Sequence, residues 1–208
     1  MSRLFLPGFG ALPSFYRAAL PERWDVHEPP TFREAAVFDD LVAAVRGSLD
    51  AYRSPVTLGG HSMGAALAVA VAVQEPERVD RLLLVGPAGL PLTKPMSASL
   101  RDFCRQAAAG HYSSSQLLRS VGEALAAPRR AYRLARAVRN LDLTQQFREV
   151  RRRGLPCSVV GCAGDTLTPV GHCREIARLT GARYHELDAP GGHMWMITSP
   201  AAFAGAFD

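Results

Sequence analysis

Ser62, Asp165 and His193 are residue types that together can cleave an acyl bond, and each stands in a local sequence suited to that work. A serine hydroxyl is a weak nucleophile until a base removes its proton as it attacks. A histidine can be that base and can later return the proton to the leaving group. A carboxylate beside the histidine fixes its tautomer and steadies the imidazolium while staying ionised itself. Ser62 is the centre of Gly60-His61-Ser62-Met63-Gly64, the G-x-S-x-G pattern of a nucleophile held on a sharp strand-to-helix turn.

The surrounding elements support that reading. Residues 55–58 form a short β-favouring run, and residues 65–72 are apolar and rich in helix formers. Between them the turn forces the serine to unfavourable backbone angles. It also needs small residues two places before and after, which Gly60 and Gly64 supply. Gly164-Asp165 directly follows a second β-like run, 157–161, and Gly191-Gly192-His193 follows a third, 184–187. Taken singly, an aspartate after glycine reads as an Asx-turn and a histidine after two glycines as a loop residue. Their joint occurrence, each after its own strand, raises all three above those readings.

The order serine, then aspartate, then histidine differs from the chain orders of the other two serine-protease types. On these residues the chain resembles the α/β-hydrolase family from Arg3 to about Phe207. The resemblance implies an α/β fold: a mostly parallel sheet of about six strands with helices on both faces, and a helical lid. It implies a single domain over 1–208, with the lid at about 94–153 inserted between the core segments 1–93 and 154–208. It also implies a Ser62-Asp165-His193 triad and an oxyanion hole made by the backbone N–H groups of Phe9 and Met63. The family commonly has His-Gly and a bulky residue after the first strand; here the loop reads Pro7-Gly8-Phe9-Gly10. Some members carry the acid after the strand that follows the elbow helix, but that stretch, Gly86-Pro87-Ala88-Gly89, has no carboxylate. Asp188 reads as a turn former. Phe9, Met63, Leu167, Met194 and Trp195 adjoin the triad in sequence and, with Phe103 or Leu118 from the lid, suggest an apolar pocket. Arg101 and Arg105 could meet an anionic substrate but read better as solvent-facing. His61 reads as structural, and His27, His111, His172 and His185 are given no role.

Strand and helix signals alternate, as in a parallel sheet covered on both faces. Strands are expected at 2–6, 24–27, 56–58, 81–85, 157–161 and 184–187. Helices are expected at 14–20, from Thr31 to about 52, 63–74, 169–179 and 195–207. From 94 to 153 only helical stretches appear, broken at Gly110, at Pro128 and near Asn140. Larger family members open with an antiparallel hairpin that has no counterpart here, so the first strand is expected at an exposed edge.

Composition narrows the function class. The chain has 208 residues, 48% apolar and 21% charged, with a formal charge of +5. Lys94 is its only lysine, so the basicity is arginine and lacks the mixed, concentrated patch of a nucleic-acid binder. Arg148, Arg151, Arg152 and Arg153 read as a helix end. Four cysteines show no C-x-x-C or zinc spacing, and no metal or cofactor is expected. No apolar run is long enough to span a membrane, and residues 1–8 are too short on apolar sequence for a signal peptide, so a cytoplasmic protein is expected. The expected activity is hydrolysis of a small ester or thioester, free or carrier-linked, through an acyl-enzyme. The same fold also serves lyases, C–C hydrolases, perhydrolases and non-catalytic binders.

Overall fold

Four nearly continuous apolar runs become the centre of one sheet, because a strand covered by helices on both faces has no solvent side to keep polar. The structure, a computed structural model, describes residues 2–17, 19–35, 37–109 and 114–205, and all of their side chains except those of 103, 106–109 and 114–117. The strands are β1 (Ser2–Leu6), β2 (Asp25–Val26), β3 (Val56–His61), β4 (Val79–Val85), β5 (Cys157–Cys162) and β6 (Arg183–Leu187). They form a six-stranded sheet in the order β2-β1-β3-β4-β5-β6, and every pairing is parallel.

The helices are α1 (Ser14–Arg17), α2 (Phe38–Ser48), α3 (Met63–Gln74), α4 (Met96–Ala109), α5 (Ser114–Ala126), α6 (Pro128–Arg139), α7 (Thr144–Arg152), α8 (Val170–Thr180), α9 (Trp195–Thr198) and α10 (Pro200–Gly205). Alternate strand residues feed two cores, as period-two side chains must. Leu4, Leu6, Leu82, Leu84 and Val159 face the side covered by α2, α3, α7 and α8. Phe5, Leu83, Val85, Val160 and Cys162 face the side covered by α1, α9 and α10.

Several expectations are corrected. β1 is not an edge: β2 pairs on its outer side, and the edges are β2 and β6. Thr31 does not open the long helix. Its N–H and hydroxyl both donate to Glu34, closing a separate turn, and α2 starts at Phe38, where Asp40 accepts from the Val37 N–H. The last helix is two. Pro200 has no N–H to continue α9 and instead opens α10, a position proline tolerates; Phe207 lies outside the described residues.

The four helices between β4 and β5 divide. α7 buries Phe147 and Val150 and packs against α3 and α8, in the layer that covers the sheet. α4, α5 and α6 stand over the C-terminal ends of the strands. Pro128 starts α6, and the Ser120 hydroxyl of α5 donates to the Gly10 carbonyl in the loop after β1. Arg101 and Arg105 are exposed on α4, where Asp102 pairs with Lys94 and Arg105.

Candidate active site

Ser62 stands between β3 and α3 at φ 54°, ψ −116°, the only non-glycine residue with positive φ among those described. Holding an L-residue there costs on the order of 1–3 kcal/mol, so the surroundings must impose it. They do: the Ser62 N–H donates to the Val85 carbonyl at 2.9 Å, and its own carbonyl accepts from Ala65, Ala66 and Ala88. A Cβ on Gly64 would overlap the Leu6 carbonyl, and one on Gly60 would overlap the Gly64 carbonyl. The two flanking glycines are therefore required by packing as well as by the turn.

Asp165 follows β5 and is buried. Its Oδ1 accepts from the N–H groups of Leu167 and Thr168 at 2.8 and 2.9 Å, which is the Asx-turn arrangement. Its Oδ2 lies 2.7 Å from Nδ1 of His193, which is itself buried in the turn after β6. The bland and the chemical reading of this residue are thus both true, one for each oxygen. Burial alone would raise the Asp165 carboxyl. The His193 charge and the hydrogen bonds from His193 and Thr168 outweigh it and hold the group below the usual aspartate value. A carboxylate can only accept, so Nδ1 carries the proton and Nε2 is the basic nitrogen of His193.

Thr168 was not anticipated. Its hydroxyl lies 2.7 Å from Asp165 Oδ2 and 3.1 Å from the Gly86 carbonyl, bracing the carboxylate against the end of β4. A Cβ on Gly86 would sit 3.4 Å from that same Oδ2 and 3.7 Å from the His193 ring. No sequence signal marks Thr168 beyond its place three residues after Asp165.

His61, read as structural, links two parts of the site. Its Nε2 faces the His193 carbonyl at 3.0 Å and must donate to it; its Nδ1 then accepts from the Tyr16 hydroxyl at 2.9 Å. The Tyr16 oxygen in turn accepts from the Gly8 N–H at 3.1 Å. One N–H of the loop after β1 is thereby committed, which leaves that of Phe9 as the next donor along the loop. The Met63 N–H is the first of α3, where a helix has no internal acceptor to offer it.

Gly8, Phe9, Ser62, His193, Leu167 and Met194 line one cavity of about 330 Å³, whose outer wall includes residues of α4, α5 and α6. Leu167 and Met194 are where the sequence expects them. Trp195 is not: its ring packs on Phe203, 5.3 Å between centroids, in the core behind α9. The Met63 side chain also turns inward, because the start of α3 is buried against the sheet. Leu118 is 71% exposed and stands outside the wall, and the Phe103 side chain lies outside the described ones. Two residues that sequence reasoning passed over, Arg139 and His172, also line this cavity.

Burial holds His61 well below the ordinary histidine value, assisted by the His193 charge, and burial also lowers His27 and His172. The unfolded chain takes up these protons near pH 6.5 while the folded one does not. Their contribution to stability is therefore complete above that pH and is lost as the pH falls toward the folded values. The unfolding free energy, and with it the urea midpoint, is expected to drop between pH 7 and pH 5, the free energy by at most about 1.4 kcal/mol per pH unit for each proton taken up. His61→Gln is expected to flatten that slope. A midpoint unchanged over this range would contradict the assignment.

Among the described residues no group of three or more His, Cys, Asp and Glu is placed to hold a metal, and no helix is long and apolar enough to cross a membrane. The family model described as the alpha/beta hydrolase family matches residues 4–206. The pyrrolizixenacetamide deacetylase of Xenorhabdus hominickii is 27% identical over 218 residues, 89% of this chain and 79% of that one. A protein of Mycobacterium phage D29, named provisionally as a non-heme haloperoxidase, is 25% identical over 178 residues, 73% of this chain. The match spans 61% of the phage protein's length. Est816, solved as an N-acyl homoserine lactone degrading enzyme, has a similar fold, with a TM-score of 0.77 at 17% identity over 100% of this chain and 92% of its own.

Proposed function

The chain belongs to the α/β-hydrolase family, and on that basis we propose that it cleaves a small ester or thioester through an acyl-enzyme on Ser62. The observation that carries this reading is the shared cavity. Ser62, on its strained turn, lines the same wall as His193, whose Nδ1–H is taken by the buried Asp165 carboxylate. With Nδ1 protonated, Nε2 takes the Ser62 proton as Oγ attacks the carbonyl carbon. The oxyanion that forms is met by the N–H groups of Met63 and Phe9. The tetrahedral centre collapses with loss of the alcohol or thiol, which receives the proton from His193. Water, deprotonated by the same histidine, then releases the acid and frees Ser62.

Helices α4 to α6, residues 96–139, serve as the lid of a single domain, and α7 belongs to the layer that covers the sheet. The lid's apolar inner wall suits an acyl group of modest size, free or delivered on a carrier. A non-catalytic binder would have no use for a serine held at positive φ beside an oriented imidazole. Incubation with a fluorophosphonate probe, followed by peptide mass spectrometry, is expected to give one adduct at Ser62. An unlabelled protein, or labelling that survives Ser62→Ala, would refute the reading.

A further inference from the structure

The cavity over Ser62 is mostly apolar, with polar lining from a few side chains such as Ser62, His193, Arg139 and His172. Among the described residues the buried side-chain nitrogens without a hydrogen-bond partner include Arg139 Nε and His172 Nε2, and both residues line this one cavity. A buried donor or acceptor left unpaired is costly, so two of them in residues of one cavity require an explanation.

Arg139 is built into place. It ends α6, its carbonyl accepts from the Leu92 N–H at 3.0 Å, and its Nη2 donates back to the Leu92 carbonyl at 3.0 Å. That double tie fixes the guanidinium and uses one of its five N–H groups. It has no carboxylate partner, and no Asp or Glu is among the described residues of the cavity wall. Arg139 is part-buried, and with no acid on the described wall to balance it, an anion entering the cavity meets an uncompensated cation. His172 makes a hydrogen bond to the Pro87 carbonyl, so the nitrogen left over, Nε2, is an acceptor that asks for a hydroxyl or N–H. Of the two, only Arg139 calls for an anion; His172 Nε2 would need a donor.

The charge distribution gives an independent reason. Residues 94–139 hold nine Lys and Arg against two acids, while the rest of the chain holds fifteen basic and seventeen acidic residues. The whole positive excess therefore lies on the segment that covers the cavity, where it attracts anions toward the mouth.

From these observations we infer that the substrate is anionic: its part remote from the scissile carbonyl carries a carboxylate, which Arg139 binds. This rests on the hydrolase reading for the position of the scissile bond, but not for the anion subsite itself. An ester bearing a carboxylate sits with its carbonyl at Ser62, its hydrocarbon portion against Leu90 and Val138, and its charged end at the guanidinium. Neutral esters of the same length leave the Arg139 guanidinium without a counter-ion.

Two substrate pairs test it, one with the anion on the acyl side and one with it on the leaving group. They are mono-p-nitrophenyl glutarate against p-nitrophenyl butyrate, and 3-acetoxybenzoate against phenyl acetate. In the wild type at least one anionic member is expected to exceed its neutral partner about tenfold or more in kcat/KM, a range typical of a charge-assisted hydrogen bond. In Arg139→Met the ratio is expected to fall to about one. Because both members are measured on the same variant, a general loss of folding cancels from the ratio. A second arm needs no turnover: titration calorimetry with glutarate and with 3-hydroxybenzoate, each against its neutral amide, on wild type and variant. Binding of one of these anions that weakens tenfold or more in Arg139→Met supports the subsite, even if no adduct forms at Ser62 and the hydrolase reading fails. No preference for the anion in either arm, or a preference that survives Arg139→Met, overturns it.

Discussion

Ser62→Ala is expected to lower turnover of an activated ester by about 10⁴- to 10⁶-fold, the loss seen when a nucleophile is removed from a triad that acts as a unit. The substitution is well suited to the test because alanine keeps the Cβ and loses only the hydroxyl. Alanine bears the φ of 54° no worse than serine does, and the backbone ties to Val85 and Ala88 remain. Circular dichroism and the urea midpoint should therefore stay close to wild type. Measured under saturating p-nitrophenyl acetate, a variant that keeps more than about a tenth of the wild-type kcat would mean that another group performs the attack. The residual rate should come from the oxyanion donors and binding alone.

Asp165→Asn tests the orientation of the imidazole, with an expected fall in kcat of about 10⁴-fold. The amide oxygen can still accept from the Leu167 and Thr168 N–H groups that now bond Oδ1, so the loop keeps its shape. The amide NH₂ then takes the place of Oδ2, facing His193 Nδ1. A donor there requires Nδ1 to be the acceptor, so the ring proton moves to Nε2 and the nitrogen that should accept the serine proton is blocked. Fluorophosphonate labelling of Ser62 should slow in step with kcat. Unchanged kcat in a folded Asp165→Asn protein would show that the carboxylate acts only as an Asx-turn former. Asp165→Glu is expected to lose activity too, since the extra methylene displaces the oxygen that the Thr168 hydroxyl now supports.

The two tests differ in what they depend on. In the proposed mechanism serine supplies an atom of the reaction, whereas aspartate supplies a direction. Gly86, Thr168 and the Tyr16–His61 chain belong with the second kind, because they set where the carboxylate, the imidazole and the loop after β1 stand.

The sequence by itself determined the features that depend on short stretches of chain. Gly60-His61-Ser62-Met63-Gly64 could be read because a sharp turn between strand and helix requires small residues at fixed offsets, a local steric rule. The central strands could be read because their β-favouring runs of three to five residues are too short for buried helices. The parallel sheet followed from their alternation with helices. Boundaries governed by competing local bonds were not legible: Thr31 carries every mark of a helix cap, but Glu34 claims it for its own turn. What only the tertiary structure decided is everything that needs two distant segments to meet. β2 came to lie outside β1, Trp195 turned into the core, α7 joined the layer covering the sheet, and Arg139 and His172 arrived in the wall over Ser62. Arg139 is one of five arginines on α6, and no spacing distinguishes it from the others. It faces the cavity because the Leu92 backbone holds it there, and that contact across 47 residues exists only once the chain has folded.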